Sequence, residues 1–296
     1  MLYFKSIYSR VVIAVILAFS MHKTMTSRSI RIPSGGRNMD LLILSPAGAA
    51  PREGRAGVMW IHGGGYITGM PEMAYMSRAH DLVRLGAVVV SPRYTLAGQA
   101  PYPAALMDCH NALMYLKQHA NELGVRSDQI MVGGESAGGG LAAALCMYEK
   151  DMGGVNIAYQ MPLYPMLDNE DTASSRDNHA PVWNTQRNHY GWARYLNGIT
   201  PDNVPKYASP ARCTDYSGLP PCYTFVSTNE PFYTETLEYI GNLRHAGVKA
   251  EVDIYPGLFH AFDMLLPFLK VSKQAAAAFN RQFEYALENY FAVQRE

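Results

Sequence analysis

The chain has 296 residues, no formal net charge at pH 7 and an apolar share of 48%, which is enough material for one large domain with a substantial core. Because basic and acidic residues balance and form no block, the composition argues against nucleic acid as a partner. The four cysteines show neither a Cys-x-x-Cys pair nor metal-ligand spacing, so we expect no metal site. Free thiols are expected, with a bridge between Cys213 and Cys222 as the alternative if the chain is exported.

Residues 1–26 form an apolar N-terminal segment. The run 11–19 follows Lys5 and Arg10 and precedes Ser20, which is typical of a signal peptide and too short to span a bilayer comfortably. The alternative is a helix that lies over an active site as part of a cap. The first interpretation predicts export or membrane anchoring through residues 1–20, and the second predicts a cytoplasmic protein.

From residue 27 onward, apolar strands alternate with helices. An antiparallel hairpin is predicted over 28–44, with its turn at Gly35-Gly36. Further strands are predicted at 58–61, 87–91, 129–132, 157–163, 223–227 and 250–255, and helices at 73–85, 103–123, 141–147, 234–245 and 272–290. Because such alternation is typical of a mostly parallel sheet covered on both faces, the pattern predicts an α/β fold.

The alternation stops between residues 168 and 207, where the sequence is polar and aromatic. About 40 residues between two core strands exceed a simple loop, so this stretch predicts a cap or lid insertion with a helix over 185–196. The domain organisation expected is therefore the segment 1–26 followed by one catalytic domain, 27–296, that carries the insertion.

Ser136 is the predicted nucleophile. It lies in a Gly-x-Ser-x-Gly frame, residues 134–138, between an apolar strand and an alanine-rich helix. This turn exposes the hydroxyl above the sheet, beside the free N–H groups and the positive end of the helix dipole. The alternative is an ordinary turn with an N-cap serine, and the strand–turn–helix context favours the nucleophile.

A serine nucleophile needs a base and an acid that orients the base, in the chain order serine, acid, histidine. His260 follows the last apolar strand and is the predicted base. Glu230 follows the strand that ends at Ser227 and is the predicted acid. Weaker acid candidates are Asp168, Asp253 and Asp263, and weaker base candidates are His119, His179, His189 and His245.

The predicted oxyanion hole begins in His62-Gly63-Gly64-Gly65, directly after a buried strand. Glycines let backbone N–H groups approach a developing oxyanion without obstruction. The N–H groups of Gly64, Gly65 and Ala137 would provide three donors. His62 is expected to support the loop rather than to transfer protons.

With these residues the sequence resembles the hormone-sensitive-lipase-like branch of the α/β-hydrolase superfamily, over about residues 27–290. The matching motifs occupy residues 62–65, 94–97, 103–108, 134–138, 163–166 and 255–260. The resemblance implies an α/β-hydrolase fold in which helices flank the sheet and the insertion, with the N-terminus, supplies a small cap. It also implies hydrolysis of carboxylic esters of small or medium acyl chains through an acyl-enzyme on Ser136, with no cofactor or metal.

The sequence departs from the family pattern at three positions. Glu135 replaces the aspartate before the nucleophile, Glu230 replaces the aspartate of the acid motif, and Thr95 replaces a structural arginine. Family habit favours the cap-helix interpretation of residues 1–26 and hence the cytoplasm.

Two alternative functions remain open at this point. The same three residues would serve an amidase or deacetylase acting on acetylated small molecules. A non-catalytic small-ligand receptor on this fold is expected to have lost a member of the triad, whereas all three positions here carry competent residues. The partner expected is a small-molecule ester, with a homodimer as one alternative and membrane contact only through the N-terminus. Six aromatic residues either suggest an apolar or aromatic acyl or alcohol group in the substrate or form the core of the lid: Tyr66, Trp183, Tyr190, Trp192, Tyr195 and Phe259.

Overall fold

The computed structural model describes residues 25–295, and they form an eight-stranded sheet in the order β1-β2-β4-β3-β5-β6-β7-β8. The strands are β1 (Met25–Ser34), β2 (Arg37–Pro46), β3 (Arg55–Ile61), β4 (Val88–Pro92), β5 (Val125–Glu135), β6 (Tyr159–Leu163), β7 (Cys222–Ser227) and β8 (Ala250–Tyr255). The hairpin partners β1 and β2 are antiparallel to each other, and β2 is antiparallel to β4. All other neighbours are parallel, which confirms the predicted α/β class.

Helices cover both faces of this sheet. They are α1 (Arg78–Arg84), α2 (Ala104–Gln118), α3 (Ala137–Met152), α4 (Thr185–Tyr195), α5 (Tyr233–His245), α6 (Phe262–Leu265) and α7 (Lys270–Asn289). One core cluster joins the sheet to α2, α3 and α5, and a second joins the opposite face to α1 and α7. Central strands such as β4 are buried along their whole length, as parallel strands between two helical layers must be.

Several predicted element boundaries were wrong, including those of the strand at 129–132 and the helix at 141–147, which are longer in the structure. The sheet begins at Met25 rather than near residue 27, so β1 takes two residues of the predicted N-terminal segment. The predicted helix 73–85 is a 3₁₀ turn (Pro71–Tyr75) followed by α1, because the Ser77 side chain accepts from the Ala79 N–H and starts a new helix. The predicted helix 103–123 ends at Gln118. The export, anchoring and cap predictions for residues 1–24 lie outside the described residues.

The insertion 168–207 contains the predicted helix, here α4. Its Tyr195 ring stacks on Tyr66 at 3.9 Å between centroids, and Trp192 packs against the same tyrosine at 5.4 Å. These contacts place α4 against the loop that follows β3. Among the helices over residues 25–295, none has the length and apolar character that a bilayer crossing requires.

A partly buried ion pair lies next to Thr95, the position at which the family pattern has an arginine. From the hairpin, Arg37 reaches the buried carboxylate of Asp108 on α2 and also donates to the Thr95 hydroxyl. Asp108 accepts further from the Thr95 N–H at 2.7 Å and from the Ser34 hydroxyl. A guanidinium from a different part of the chain therefore neutralises this carboxylate.

We expect Arg37→Ala to lower the free energy of unfolding by about 1.5–3 kcal/mol, the usual range for hydrogen bonds to charged groups. The loss leaves the buried Asp108 carboxylate without its cation. Urea unfolding measures the change, with Arg31→Ala as the control, because Arg31 pairs with Asp40 on the exposed face of the same hairpin. Equal losses in the two variants would contradict the assignment.

Candidate active site

Ser136 occupies the turn between β5 and α3 in a conformation that non-glycine residues rarely adopt, with φ 58° and ψ −122°. Backbone hydrogen bonds on both sides hold it there. Its N–H donates to the Leu163 carbonyl at 3.0 Å, and its carbonyl accepts from Gly140 and Met166. Because its strained backbone is fixed on both sides, the hydroxyl has a defined direction above the sheet.

The first turn of α3 lies very close to the end of β3. A Cβ on Gly138 would overlap the backbone carbonyls of Ile61 and His62. Only glycine permits this approach. It brings the N-terminus of α3, where the first N–H groups lack partners within the helix, next to the loop that starts at His62.

The three predicted catalytic residues form one hydrogen-bonded chain. His260 Nε2 lies 2.9 Å from Ser136 Oγ, and His260 Nδ1 is hydrogen-bonded to Glu230 Oε2. The other oxygen of Glu230 accepts from the Ser227 N–H at 2.9 Å. Glu230 is fully buried, and His260 and Ser136 are only 4% and 6% exposed. The structure thus brings the loop with Glu230, the loop with His260 and the turn at Ser136 together.

Aromatic rings surround the imidazole of His260. The centroids of Phe232 and Tyr164 lie 5.0 Å and 5.1 Å from it, both edge-on, and that of Trp183 lies at 6.5 Å. These rings exclude water from the hydrogen-bonded chain. Electrostatic interactions are stronger in such a dry environment.

The predicted oxyanion residues lie where β3 ends and α3 begins. The carbonyl of Gly64 accepts from the Ile67 and Thr68 N–H groups, both at 3.1 Å, which closes the glycine loop into a tight turn. Ala137 is the first residue of α3, so its N–H belongs to the positive end of the helix dipole. Gly65 has φ 60°, and a Cβ there would overlap the indole of Trp183.

The His62 side chain contacts the glycine loop and holds its conformation. Its ring stacks on Tyr94 at 4.2 Å, its Nδ1 lies 2.8 Å from the Gly63 carbonyl, and its own carbonyl accepts from the Tyr94 hydroxyl. Burial lowers the pKa of His62 to about 4, so the ring is neutral near pH 7. These contacts fit the predicted supporting role.

The other predicted acids and bases lie elsewhere. Asp253 accepts from the Tyr223 hydroxyl, Asp168 pairs with Arg212, and Asp263 pairs with Arg78. The four weaker base candidates each contact a carboxylate or a backbone carbonyl instead of Ser136; they are His119, His179, His189 and His245. Within residues 25–295, Glu230 is the only one of the four candidate acids that is hydrogen-bonded to His260.

Glu135 points away from the nucleophile into a buried charged cluster that the sequence analysis missed. The Trp60 indole N–H donates to both of its oxygens at 2.9 Å. Asp263 and Arg78 complete the cluster, with 3.3 Å between Arg78 Nε and Asp263 Oδ2. Burial, followed by the charge of Asp263, raises the pKa of Glu135 to about 8. The glutamate at position 135 is the only sequence signal for this cluster.

Glu135 predicts a pH-dependent stability. Its ordinary pKa is 4.5 and its folded pKa is about 8, so between these values the native state keeps a proton that the unfolded chain has lost. The contribution of Glu135 to the free energy of unfolding should therefore fall as the pH rises through this window, by at most about 1.4 kcal/mol per pH unit. Below pH 6.5 the lowered pKa of His62 contributes in the opposite direction. We therefore expect Glu135→Gln to reduce the downward slope in urea unfolding between pH 6.5 and 8.

The control for this experiment is Glu122→Gln, since Glu122 is exposed on the surface. That variant should keep the wild-type slope. A Glu135→Gln variant that retains the full wild-type slope between pH 6.5 and 8 would contradict the assignment.

All four cysteines are buried free thiols, as predicted. Burial raises the pKa values of Cys109, Cys146 and Cys222, which makes thiolate chemistry at these positions unfavourable. Within the described part of the chain, no three His, Cys, Asp or Glu side chains are grouped so that they could hold a metal ion.

Known proteins resemble this chain over most of its length. A family model described as alpha/beta hydrolase fold matches residues 58–264, more than half of the chain. Esterase LipI of Mycobacterium tuberculosis (strain ATCC 25618 / H37Rv) is 30% identical over 239 residues, which cover 76% of this chain and 75% of that protein. Carboxylesterase NlhH of Mycobacterium tuberculosis (strain CDC 1551 / Oshkosh) is 31% identical over 230 residues, with coverages of 76% and 70%.

Among solved structures, a bacterial heroin esterase superposes with a TM-score of 0.86 at 32% identity, covering 93% of this chain and 89% of that chain. The sequence match to named esterases and the structural match extend over most of the chain, and they agree with the fold. The chain therefore belongs to the α/β-hydrolase family, in its hormone-sensitive-lipase-like branch, and is a carboxylic ester hydrolase.

Proposed function

We propose that this chain hydrolyses esters of small or medium acyl chains through a covalent acyl-enzyme on Ser136. The observation that carries the proposal is the hydrogen-bonded chain from Ser136 through His260 to Glu230. A serine hydroxyl becomes an effective nucleophile when a neighbouring base accepts its proton during attack. His260 Nε2, at 2.9 Å from Ser136 Oγ, is within reach for this transfer.

In the first half of the reaction, Ser136 Oγ attacks the ester carbonyl carbon while its proton moves to His260 Nε2. Glu230 stabilises the imidazolium that forms and holds Nδ1–H in the correct tautomer. The carbonyl oxygen gains negative charge and faces the N–H groups of Gly64, Gly65 and Ala137. The bond to the alkoxy oxygen then breaks, and His260 gives its proton to the departing alcohol.

In the second half, a water molecule replaces the alcohol. His260 accepts a proton from this water as its oxygen attacks the acyl carbon, and the same N–H groups hold the second oxyanion. Collapse releases the carboxylic acid and returns the proton to Ser136 Oγ. The rings around His260 bury the hydrogen-bonded chain on which both halves of the reaction depend.

Labelling with an organophosphonate tests the proposal, because such compounds react with an activated serine. We expect one label per chain, located on Ser136 by peptide mass analysis, with loss of phenyl acetate hydrolysis in proportion to labelling. Inactivation by a label on another residue, with Ser136 unmodified, would refute the assigned nucleophile.

A further inference from the structure

Trp183 covers the predicted oxyanion residue Gly65. A Cβ on Gly65 would overlap the six-membered part of the indole, so the ring lies directly on that glycine. Trp183 belongs to the insertion, just before α4, and is only 8% exposed. A large side chain from outside the sheet therefore closes one side of the space above Ser136.

The backbone before Trp183 is held in an unfavourable conformation. Val182 has φ 71°, in the left-handed region that a β-branched residue rarely adopts, at a typical cost of about 1–3 kcal/mol. The Val182 carbonyl accepts from the Arg187 guanidinium, and the Trp183 N–H donates to the Pro181 carbonyl at 2.9 Å. Contacts on both sides of the strained residue thus fix the direction in which Trp183 points.

The indole itself is held by α4. Asn184 caps this helix by accepting from the Arg187 N–H, and Trp183 is the residue before the cap. Its indole N–H donates to the Oδ1 of the buried Asn188 at 3.4 Å. The ring is consequently attached to the first turn of α4, and it is a fixed wall rather than a freely rotating side chain.

This wall faces the leaving-group side of the reaction. The alkoxy oxygen must come within hydrogen-bond reach of His260 Nε2 to receive its proton. The alcohol group therefore begins beside the imidazole, where the Trp183 and Phe232 rings lie, with centroids 6.5 Å and 5.0 Å from that of His260. Between Gly65 and His260, the indole limits the width available to that group.

We propose that Trp183 determines the size of the alcohol group that this esterase accepts. The inference rests on the proposed function, because it assigns the leaving group to the His260 side of the acyl-enzyme reaction. Small or single-ring alcohols fit beside the indole, and branched or bicyclic alcohols collide with it. The acyl chain extends from the other substituent of the carbonyl carbon and is not limited by this ring.

Two substrate series test the inference. The first keeps the acetyl group and enlarges the alcohol from ethyl to phenyl to 1-naphthyl. The second keeps 4-nitrophenol and lengthens the acyl chain from acetyl to butyryl to octanoyl. We expect Trp183→Ala to raise the kcat/KM ratio of 1-naphthyl to ethyl acetate by about tenfold or more, the scale of steric discrimination in a pocket. The ratios in the acyl series should stay within about twofold.

Trp192→Ala is the matched control. Trp192 is a buried tryptophan on α4, the helix that follows Trp183, and its ring packs on Tyr66 and Tyr195 rather than on His260. That variant is expected to lose activity on all substrates alike, without a change in the alcohol ratio. Trp183→Phe, which keeps an aromatic ring at this position, should give an intermediate alcohol ratio and serves as the test if Trp183→Ala does not fold.

Four outcomes decide the matter. A raised alcohol ratio specific to the Trp183 variants supports the inference. A ratio that moves in the acyl series instead, an unchanged alcohol ratio, or an equal change in Trp192→Ala overturns it. If the wild type hydrolyses phenyl acetate and the phosphonate labels Ser136, the proposed function stands even where the alcohol ratios of the Trp183 variants contradict the inference. Inactivation by a phosphonate label on another residue refutes both the proposed function and the inference.

Discussion

Replacing Ser136 with alanine is expected to lower kcat for phenyl acetate by about 10⁶-fold, the scale seen when the nucleophile of a triad is removed. Alanine offers no oxygen to attack the carbonyl carbon, so the covalent route is lost completely. Residual activity would come from a water molecule activated by His260 in front of the same N–H groups. Initial rates at saturating substrate, with the enzyme concentration raised to detect slow turnover, measure the effect.

The fold should survive this change. Ser136 has a positive φ, but alanine has the same Cβ and therefore adds no backbone strain. The hydrogen bonds that hold the turn come from backbone atoms of Leu163, Gly140 and Met166, and they remain. Urea unfolding of Ser136→Ala should match wild type within about 1 kcal/mol. A folded variant with turnover within tenfold of wild type would contradict the role of Ser136.

Replacing Glu230 with glutamine is expected to lower kcat by about 10³–10⁴-fold, as amide replacement of a triad acid does elsewhere. The structure explains why a nearly isosteric change is so harmful. One carboxylate oxygen accepts from the Ser227 N–H and the other is hydrogen-bonded to His260 Nδ1. Glutamine has only one acceptor oxygen, so its NH₂ group must face one of these two donors. Either the loop loses its anchor or His260 is driven into the wrong tautomer.

The Glu230→Asp variant distinguishes the effect of the negative charge from that of the side-chain length. Aspartate keeps the negative charge and lacks one methylene, so partial activity is expected, above that of the glutamine variant. Asp253→Asn is the matched control, because Asp253 follows in the next strand and accepts from Tyr223 rather than from His260. It should retain close to wild-type kcat. If Asp253→Asn were the inactive variant and Glu230→Gln turned over normally, the acid would be misassigned.

The elements that hold the site are predictable from local sequence. A serine between glycines, with an apolar strand before it and an alanine-rich stretch after it, defines the turn at Ser136 without knowledge of the rest of the chain. His260 and Glu230 each follow an apolar strand at its carboxyl end. Because parallel strands end at the same edge of a sheet, the correct strand order brings these residues together.

The contacts that refine the site depend on distant packing and could not be predicted in this way. Arg37 pairs with Asp108 because the hairpin packs against α2. Trp183 was one aromatic residue of six with no signal that it lies on Gly65. The cluster at Glu135 joins residues from β3, β5, α1 and α6. The local pattern of apolar residues does not show that these four elements meet.

Mass analysis of the acid-quenched reaction tests the central claim most directly. Wild-type enzyme mixed with excess 4-nitrophenyl acetate and quenched during the first turnovers should carry one acetyl group, located on the peptide that contains Ser136. Ser136→Ala, treated in the same way, should carry none, and Glu230→Gln should accumulate it more slowly. An acetyl group on another residue at the same stoichiometry in both wild type and Ser136→Ala would contradict the acyl-enzyme on Ser136.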